Sequence, residues 1–378
     1  MYIERKLDVA SVIRSKSCFL LGPRQCGKSF LVRETLPDVH MFNLLSGDTF
    51  AHLARNSNYI DETCKDDSPI VIDEIQKMPT LLDEVHRLIE EKGKRFLLTG
   101  SSARKLRKGG VNLLGGRARV RNLHPFSAFE LGDDFVLDRA INIGLVPGIW
   151  FSDDPEEDLA GYASLYLEQE IMQEGATRNL PAFSRFLEVA ALSNGEQINY
   201  QSISSDAQIP RSTVQEYFKI LKDTLLAREV PVWRNGRARK TVETAKFYLF
   251  DTGVARRLSG RKELVRGTPE YGHAFECWIM HELSSYADTF RRDAEIAYWR
   301  TRTSLEVDFV VNGEVAIEVK TTRNAGKEDL KGLRAIGDEG TFRHRILVSD
   351  EPRSREVDGI TILPWREFIV RLWSGEIF

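Results

Sequence analysis

The chain has 378 residues, 42 % hydrophobic and 29 % charged, with a formal net charge of −3; at roughly 150 residues per domain this is two or three domains, and the near-neutral balance excludes a strongly basic nucleic-acid binder, leaving only a local patch for such a role. Four scattered cysteines, Cys18, Cys26, Cys64 and Cys277, form no CxxC pair, which argues against a zinc site and against a disulfide framework. The N-terminal MYIERKLDVA lacks the apolar core of a signal peptide and no run approaches the ~18 apolar residues of a membrane span, so a cytoplasmic chain without a membrane partner is expected.

Residues 1–130 alternate short apolar runs (SCFLLG, HMFNLL, PIVIDEI, RFLLTGSS, RARVRNLHPF) with helical patterns, the pattern of a parallel sheet with crossover helices. Gly22-Pro23-Arg24-Gln25-Cys26-Gly27-Lys28-Ser29 follows an apolar strand and precedes a helix beginning at Phe30, the context that confirms a phosphate loop. Its glycines let backbone amides point at phosphate oxygens. Lys28 is expected on the β and γ phosphates of ATP and Ser29 on Mg²⁺. A second strand ends in Asp73-Glu74; Asp73 would hold the magnesium through water and Glu74 would polarise the attacking water. The strand ending Thr99-Gly100-Ser101-Ser102 offers Thr99 and Ser101 as γ-phosphate sensors in an ATPase with an added strand between the two phosphate motifs. A helix over about 102–114 is expected next, and then Arg117, which could serve as an arginine finger in a neighbour's site and would require a homo-oligomer.

Residues 131–180, with DDFVLD and SDDPEEDL, read as an acidic linker or helical segment and a poor DNA surface. Residues 181–266 read as helix, helix, turn, helix and two strands, a winged helix-turn-helix pattern. Val214, Tyr217, Phe218 and Leu221 form the inward stripe of its second helix, and Thr213-x-x-Glu216 offers a capping box. Between Arg228 and Arg266 eleven Lys or Arg face four Asp or Glu, a local net of +7, which favours DNA as partner. The expected contacts are Arg211, Ser212, Gln215 and Lys219, with Arg234, Arg237, Arg239 and Lys240 on the wing; winged helices that bind proteins instead are the alternative.

Residues 267–378 read as a helix, strands IAYWR, LEVDFVV and EVAIEVK, a helix and the strand RHRILVS. A hairpin at Asn312-Gly313 brings Asp308 toward Glu318. Glu318 and Lys320, two apart, share one face. Two carboxylates suit Mg²⁺, with Mn²⁺ as a substitute, and the lysine can orient water and stabilise charge on phosphate. Glu276, on the helix leading in, could add a third carboxylate. An exposed salt-bridged hairpin is the plainer reading of the same spacing.

Together GPRQCGKS, IVIDEIQKMP, FLLTGSSARKL, LLGGRA, FYLFDTGVARRL, AFECWIMHEL, YWRTRTSLEVDFVV and AIEVKTT resemble a prokaryotic family of AAA-type ATPases with a C-terminal DUF4143 region, over nearly the whole chain. The resemblance implies an α/β protein: a P-loop AAA-type ATPase domain, a winged helix-turn-helix domain and a restriction-endonuclease-like C-terminal domain. Glu276, Asp308, Glu318 and Lys320 match the Glu, Asp and Glu-x-Lys motif of that last fold, although Val307, not proline, precedes Asp308. The expectation is an enzyme that couples ATP hydrolysis to metal-dependent cleavage of duplex or branched DNA. The alternatives are an ATP-switched DNA-binding regulator with an inactive nuclease fold, or a protein-interaction switch without DNA.

Overall fold

The computed structural model describes residues 3–101, 114–166, 179–234, 244–290 and 293–378. The helix expected over about 102–114, and wing residues Arg237, Arg239 and Lys240, lie outside these. The chain divides into two units, Met1–Phe126 with Asp223–Leu226, and Ser127–Lys222 with Ala227–Phe378.

In the first unit, five strands form one sheet: β1 (Ser17–Leu21), β2 (His40–Asn43), β3 (Ile70–Asp73), β4 (Phe96–Gly100) and β5 (Ala118–Asn122). Their order is β2-β3-β4-β1-β5, and every pair is parallel. The strand β4 therefore lies between β1 and β3, as expected of the added-strand arrangement. β1, β3 and β4 are buried at every residue, because helices cover both faces. Phe19, Leu21, Ile70, Ile72, Phe96 and Leu98 pack with Val85 and Leu88 of helix Leu81–Lys92. Their sequence neighbours Cys18, Leu20, Val71 and Leu97 pack with Val12 and Ile13 of helix Val9–Ser15 and with Leu31 and Val32 of helix Lys28–Thr35. Period-two alternation thus fills two cores at once, each full burial contributing about 1.5–3 kcal/mol.

In the second unit the described part of the acidic segment, residues 131–166, is folded, with its described acids exposed. Leu137, Ala140, Ile141, Ile149 and Leu159 are buried on helices Leu137–Ile143, Pro147–Trp150 and Pro155–Gly161, whereas Asp153, Glu156, Glu157 and Asp158 are exposed. Asp251 joins this segment to helix Thr252–Leu258: its carboxylate accepts from the N–H of Leu145 at 2.7 Å and of Val254 at 3.0 Å.

Three helices follow, Leu180–Leu192, Tyr200–Ala207 and Arg211–Asp223. Val214, Tyr217, Phe218 and Leu221 are buried, as their spacing predicts, and Tyr217 and Phe218 form an aromatic cluster with Phe183, Phe186 and Phe247. The last helix begins at Arg211, with the Pro210 carbonyl accepting from Val214 N–H. Thr213 therefore sits inside the first turn, and the capping box expected at Thr213 and Glu216 is corrected. A short antiparallel pair, β6 (Ala227–Val230) and β7 (Lys246–Leu249), comes next. Beyond β6, Trp233 N–H donates to Tyr298 O at 2.7 Å and Tyr298 N–H to Pro231 O at 2.9 Å, which ties the pair to a larger sheet.

That sheet has six strands: β8 (Ile296–Arg300), β9 (Glu306–Val311), β10 (Val315–Val319), β11 (His344–Ser349), β12 (Arg355–Val357) and β13 (Ile360–Pro364). Their order is β12-β13-β11-β10-β9-β8. The expected hairpin joins β9 and β10 through Asn312 and Gly313, at φ 53° and 68°, the left-handed pair that a two-residue turn requires. β10 and β11 are parallel, with helix Lys331–Gly337 in the connection. β12, β13 and helix Trp365–Trp373 extend the sheet past the last predicted strand.

Candidate functional site

The phosphate loop leaves β1 at Gly22 and enters helix Lys28–Thr35 through Gly27, whose φ of 95° is open to glycine without strain. Arg24, Gln25, Gly27, Lys28, Ser29, Phe30, Leu45 and Glu74 line a cavity of about 310 Å³. Cys26 is buried behind it, its carbonyl accepting from Arg5 Nη1 at 2.8 Å. Lys28 is only 5 % exposed. Its ammonium donates to the carbonyls of Gly22 at 2.7 Å and Pro23 at 2.9 Å.

Parallel pairing of β3, β4 and β1 brings the second motif to the same end of the sheet. Ser29 Oγ donates to Asp73 at 3.0 Å, and the Thr99 hydroxyl bonds the same carboxylate. Thr99 Oγ1 also accepts from Glu74 N–H at 3.2 Å. A hydroxyl beside a buried carboxylate is a donor set that suits magnesium. Glu74 adopts φ 63°, ψ 45° at the strand end. Gln76, one short turn on, donates to the Glu74 carboxylate and lies 3.4 Å from Ser101 Oγ. Gln76 was not singled out from the sequence; the clue was its place in DEIQ, where a tight turn after the strand folds it back. Arg117 is 37 % exposed along its side chain and ion-paired with Glu90.

The second unit assembles Glu276, Asp308, Glu318 and Lys320 in one cluster. The β9–β10 ladder runs to Phe309–Ile317; beyond it, Asp308 Oδ2 accepts from Val319 N–H at 2.8 Å. Lys320 Nζ is 2.5 Å from Glu318 Oε1. Three further residues join. Lys246, on β7, reaches Glu276 at 3.0 Å, Glu306 at 2.7 Å and Asp308 at 3.9 Å. Tyr248 donates to Glu276 at 2.6 Å.

Burial, and then the neighbouring Glu276 charge, push Asp308 up to about 6. Burial and the Asp308 charge raise Glu318 well above the usual carboxylate range. For Glu276 burial is the largest influence and works against the charge, but the Lys246 and His273 charges and the hydrogen bonds from Tyr248 and Lys246 together hold this carboxyl below its usual value. Among the described residues, no group of three or more His, Cys, Asp or Glu is placed to hold a metal ion.

On the helix Arg211–Asp223, the residues Arg211, Ser212, Gln215 and Lys219 are exposed, and so is Arg234. The basic count overstates the free charge nearby. Arg228 pairs with Asp288, Lys246 with Glu276, Arg256 with Glu156 and Arg266 with Asp138. No helix among the described residues is long and apolar enough to cross a membrane.

Comparison with known proteins divides the chain in three. Residues 14–132 match the AAA domain, 135–264 a domain of unknown function, DUF8612, and 271–368 another, DUF4143. The uncharacterized protein Rv2008c of Mycobacterium tuberculosis is 25 % identical over 328 residues, covering 82 % of this chain and 72 % of that one. The uncharacterized protein Mb2031c of Mycobacterium bovis matches with the same values. Among solved structures, a signal transduction ATPase with numerous domains and a tetratricopeptide repeat sensor, from Pyrococcus horikoshii, is 15 % identical with a TM-score of 0.24, over 77 % of this chain; this chain spans about half of it, 48 %. The RuvB Holliday junction branch migration motor of Thermotoga maritima is 16 % identical with a TM-score of 0.28, over 59 % of this chain and 85 % of that one. The matches at residues 14–132 and 271–368 support an AAA-type ATPase with a C-terminal DUF4143 region.

Proposed function

We propose that this ATPase is an ATP-dependent DNA-binding and DNA-processing enzyme. The observation that carries the nucleotide half is the shared Asp73 carboxylate, bonded by Ser29 from the loop helix and by Thr99 from β4. Mg²⁺ would be held by Ser29 and, through water, by Asp73, and when bound it neutralises phosphate charge. Lys28 has its ammonium in the loop, where the β and γ phosphates of ATP would lie. Glu74, steered by Gln76, takes the role of polarising water. Of the two sensor candidates, Thr99 is favoured because it touches both Asp73 and Glu74. Arg117 would exchange Glu90 for a neighbouring subunit's nucleotide in a homo-oligomer.

For DNA, Arg211, Ser212, Gln215 and Lys219 offer an exposed helix face; if the module is a winged helix-turn-helix, Arg234, Arg237, Arg239 and Lys240 would supply its wing contacts. Neutralised phosphates would make binding salt-sensitive. In the restriction-endonuclease-like module, Glu276, Asp308 and Glu318 would hold Mg²⁺ or Mn²⁺, which supplies Lewis acidity at the phosphodiester, and Lys320 would steady developing charge. The test is cleavage of labelled duplex and forked DNA with ATP and Mg²⁺ or Mn²⁺. Wild type is expected to cut and Asp308→Ala to fail; equal cleavage by both removes the nuclease assignment.

A second reading, an ATP-switched DNA-binding regulator with a silent nuclease fold, is favoured by one observation: Lys246 sits among the carboxylates. It predicts salt-sensitive DNA binding that is lost in Arg211→Glu/Lys219→Glu, with no cleavage under any metal.

A further inference from the structure

Carboxylate oxygens are the donors that magnesium and manganese take, and four carboxylates meet in the second unit: Glu276, Glu306, Asp308 and Glu318. The described residues nevertheless present no three-ligand metal group there. A cation already stands among them. The Lys246 ammonium is 3.0 Å from Glu276 Oε1, 2.7 Å from Glu306 Oε1 and 3.9 Å from Asp308 Oδ1. Lys246 is 4 % exposed. Glu318 is 7 % exposed, and its Oε2 has no hydrogen-bond partner among the described residues. One buried oxygen, Glu318 Oε2, is thus left for a further positive ligand, while Glu276 Oε1, Glu306 Oε1 and Asp308 Oδ1 face the lysine.

We infer that Lys246 is the resident cation of this cluster, and that Lys246 and a divalent metal ion exclude one another there. The reason is steric as well as electrostatic. A magnesium ion draws oxygens to about 2.0–2.1 Å, and the oxygens it needs from Glu276 and Asp308 are those that face the ammonium. The ammonium is held at hydrogen-bond distance by Glu276 and Glu306, so it vacates the site only if the side chain moves.

The residue's backbone is tied into the fold. Lys246 opens β7, is paired with Val230 of β6 and bridges to Gln197. The chain beyond β6 is in turn bonded to Tyr298 of β8. The backbone of Lys246 is thus fixed in the strand pair that follows the helices Tyr200–Ala207 and Arg211–Asp223, while its side chain carries the ammonium to the carboxylates. The inference rests on reading the cluster as a cation site, and does not require that it cleaves anything.

The test is a Mn²⁺ titration of the full chain without nucleotide, followed by electron paramagnetic resonance of free Mn²⁺, with Asp308→Asn as the baseline for ions bound elsewhere. Lys246→Met is expected to bind one more Mn²⁺ per chain than wild type, at least about tenfold more tightly, a difference of ~1.4 kcal/mol. Asp308→Asn in the Lys246→Met background should abolish the gain. Glu306→Gln guards against misfolding of that variant: it removes one anchor of Lys246 while sparing Glu276, Asp308 and Glu318, and should give a smaller gain of the same sign. If wild type already binds as tightly as both variants, above the Asp308→Asn baseline, the cation-site reading stands and mutual exclusion is overturned. If wild type and both variants all bind no more than the Asp308→Asn baseline, the cation-site reading fails as well, and the inference with it.

Discussion

Lys28 and Lys246 are both buried ammonium groups, 5 % and 4 % exposed, and they answer to opposite surroundings. Lys28 rests on the neutral carbonyls of Gly22 and Pro23, which satisfy its hydrogen bonds but leave its charge unneutralised, beside a cavity of about 310 Å³. Lys246 rests on Glu276 and Glu306, with Asp308 close by. A lysine held by carbonyls waits for an anion; a lysine held by carboxylates has already met its counter-ions. Burial alone does not separate the two, whereas the charge of the acceptors does.

The sharpest way to break the comparison is at the open site. Glu74→Gln should lower ATP turnover by at least about 10²-fold, the usual scale for a general base, while ATP binding persists; phosphate release and nucleotide-binding assays read the two separately. Loss of binding together with turnover would make Glu74 a binding residue. The closed site should respond in stability. Lys246→Met strands buried carboxylates, and one-sided removal of a buried pair costs about 3–5 kcal/mol, readable as a lower urea midpoint that Mn²⁺ partly restores. An unchanged midpoint would mean that Lys246 is not a principal counter-ion.

Gln76→Ala probes finer positioning. Since Gln76 contacts Glu74, turnover should fall about tenfold, ~1.4 kcal/mol of barrier, with KM unchanged. A change in KM alone would place its role in binding. The smallest expected effect is on pH. Glu282 is fully buried, accepts from Ala128 N–H and Trp373 Nε1–H, and is pushed up to about 8 by burial. Between pH 7 and 8.5 the folded chain gives up a proton that the unfolded chain has already lost. The native state binds more protons, so stability falls as pH rises, by about 1 kcal/mol on the scale of 1.36 per pKa unit. A urea midpoint rising over this range would contradict that assignment.

The phosphate loop was legible because its parts are contiguous: Gly22 to Ser29 and Ile70 to Glu74 each carry their own strand or helix context. The alternating apolar runs likewise revealed β1 to β5, although not which face each side would cover. Gln76 was not legible, because it acts through the left-handed turn at Glu74, and strand periodicity says nothing about what a chain does after the strand ends. Lys246 was counted with the basic residues near the wing. Its burial depends on β7 passing Glu276, a long-range contact, although Lys-x-Tyr on a strand put Lys246 and Tyr248 on one face in advance. The acidic segment read as a linker or a helical segment, because charge alone does not decide between the two; Leu137, Ile141 and Ile149, buried on its helices, were the quieter signal of packing. The final sheet extension was marked by ITILP, a run that the strand-by-strand reading ended before.

The account stands on the grip of Ser29, Asp73 and Lys28 on a magnesium nucleotide. Equilibrium dialysis of the purified chain with radiolabelled ATP and Mg²⁺ tests it directly. One nucleotide per chain, with binding reduced when Mg²⁺ is chelated and lost in Lys28→Ala, is the predicted result. No saturable binding by the wild-type chain, or equal binding by Lys28→Ala, would contradict it.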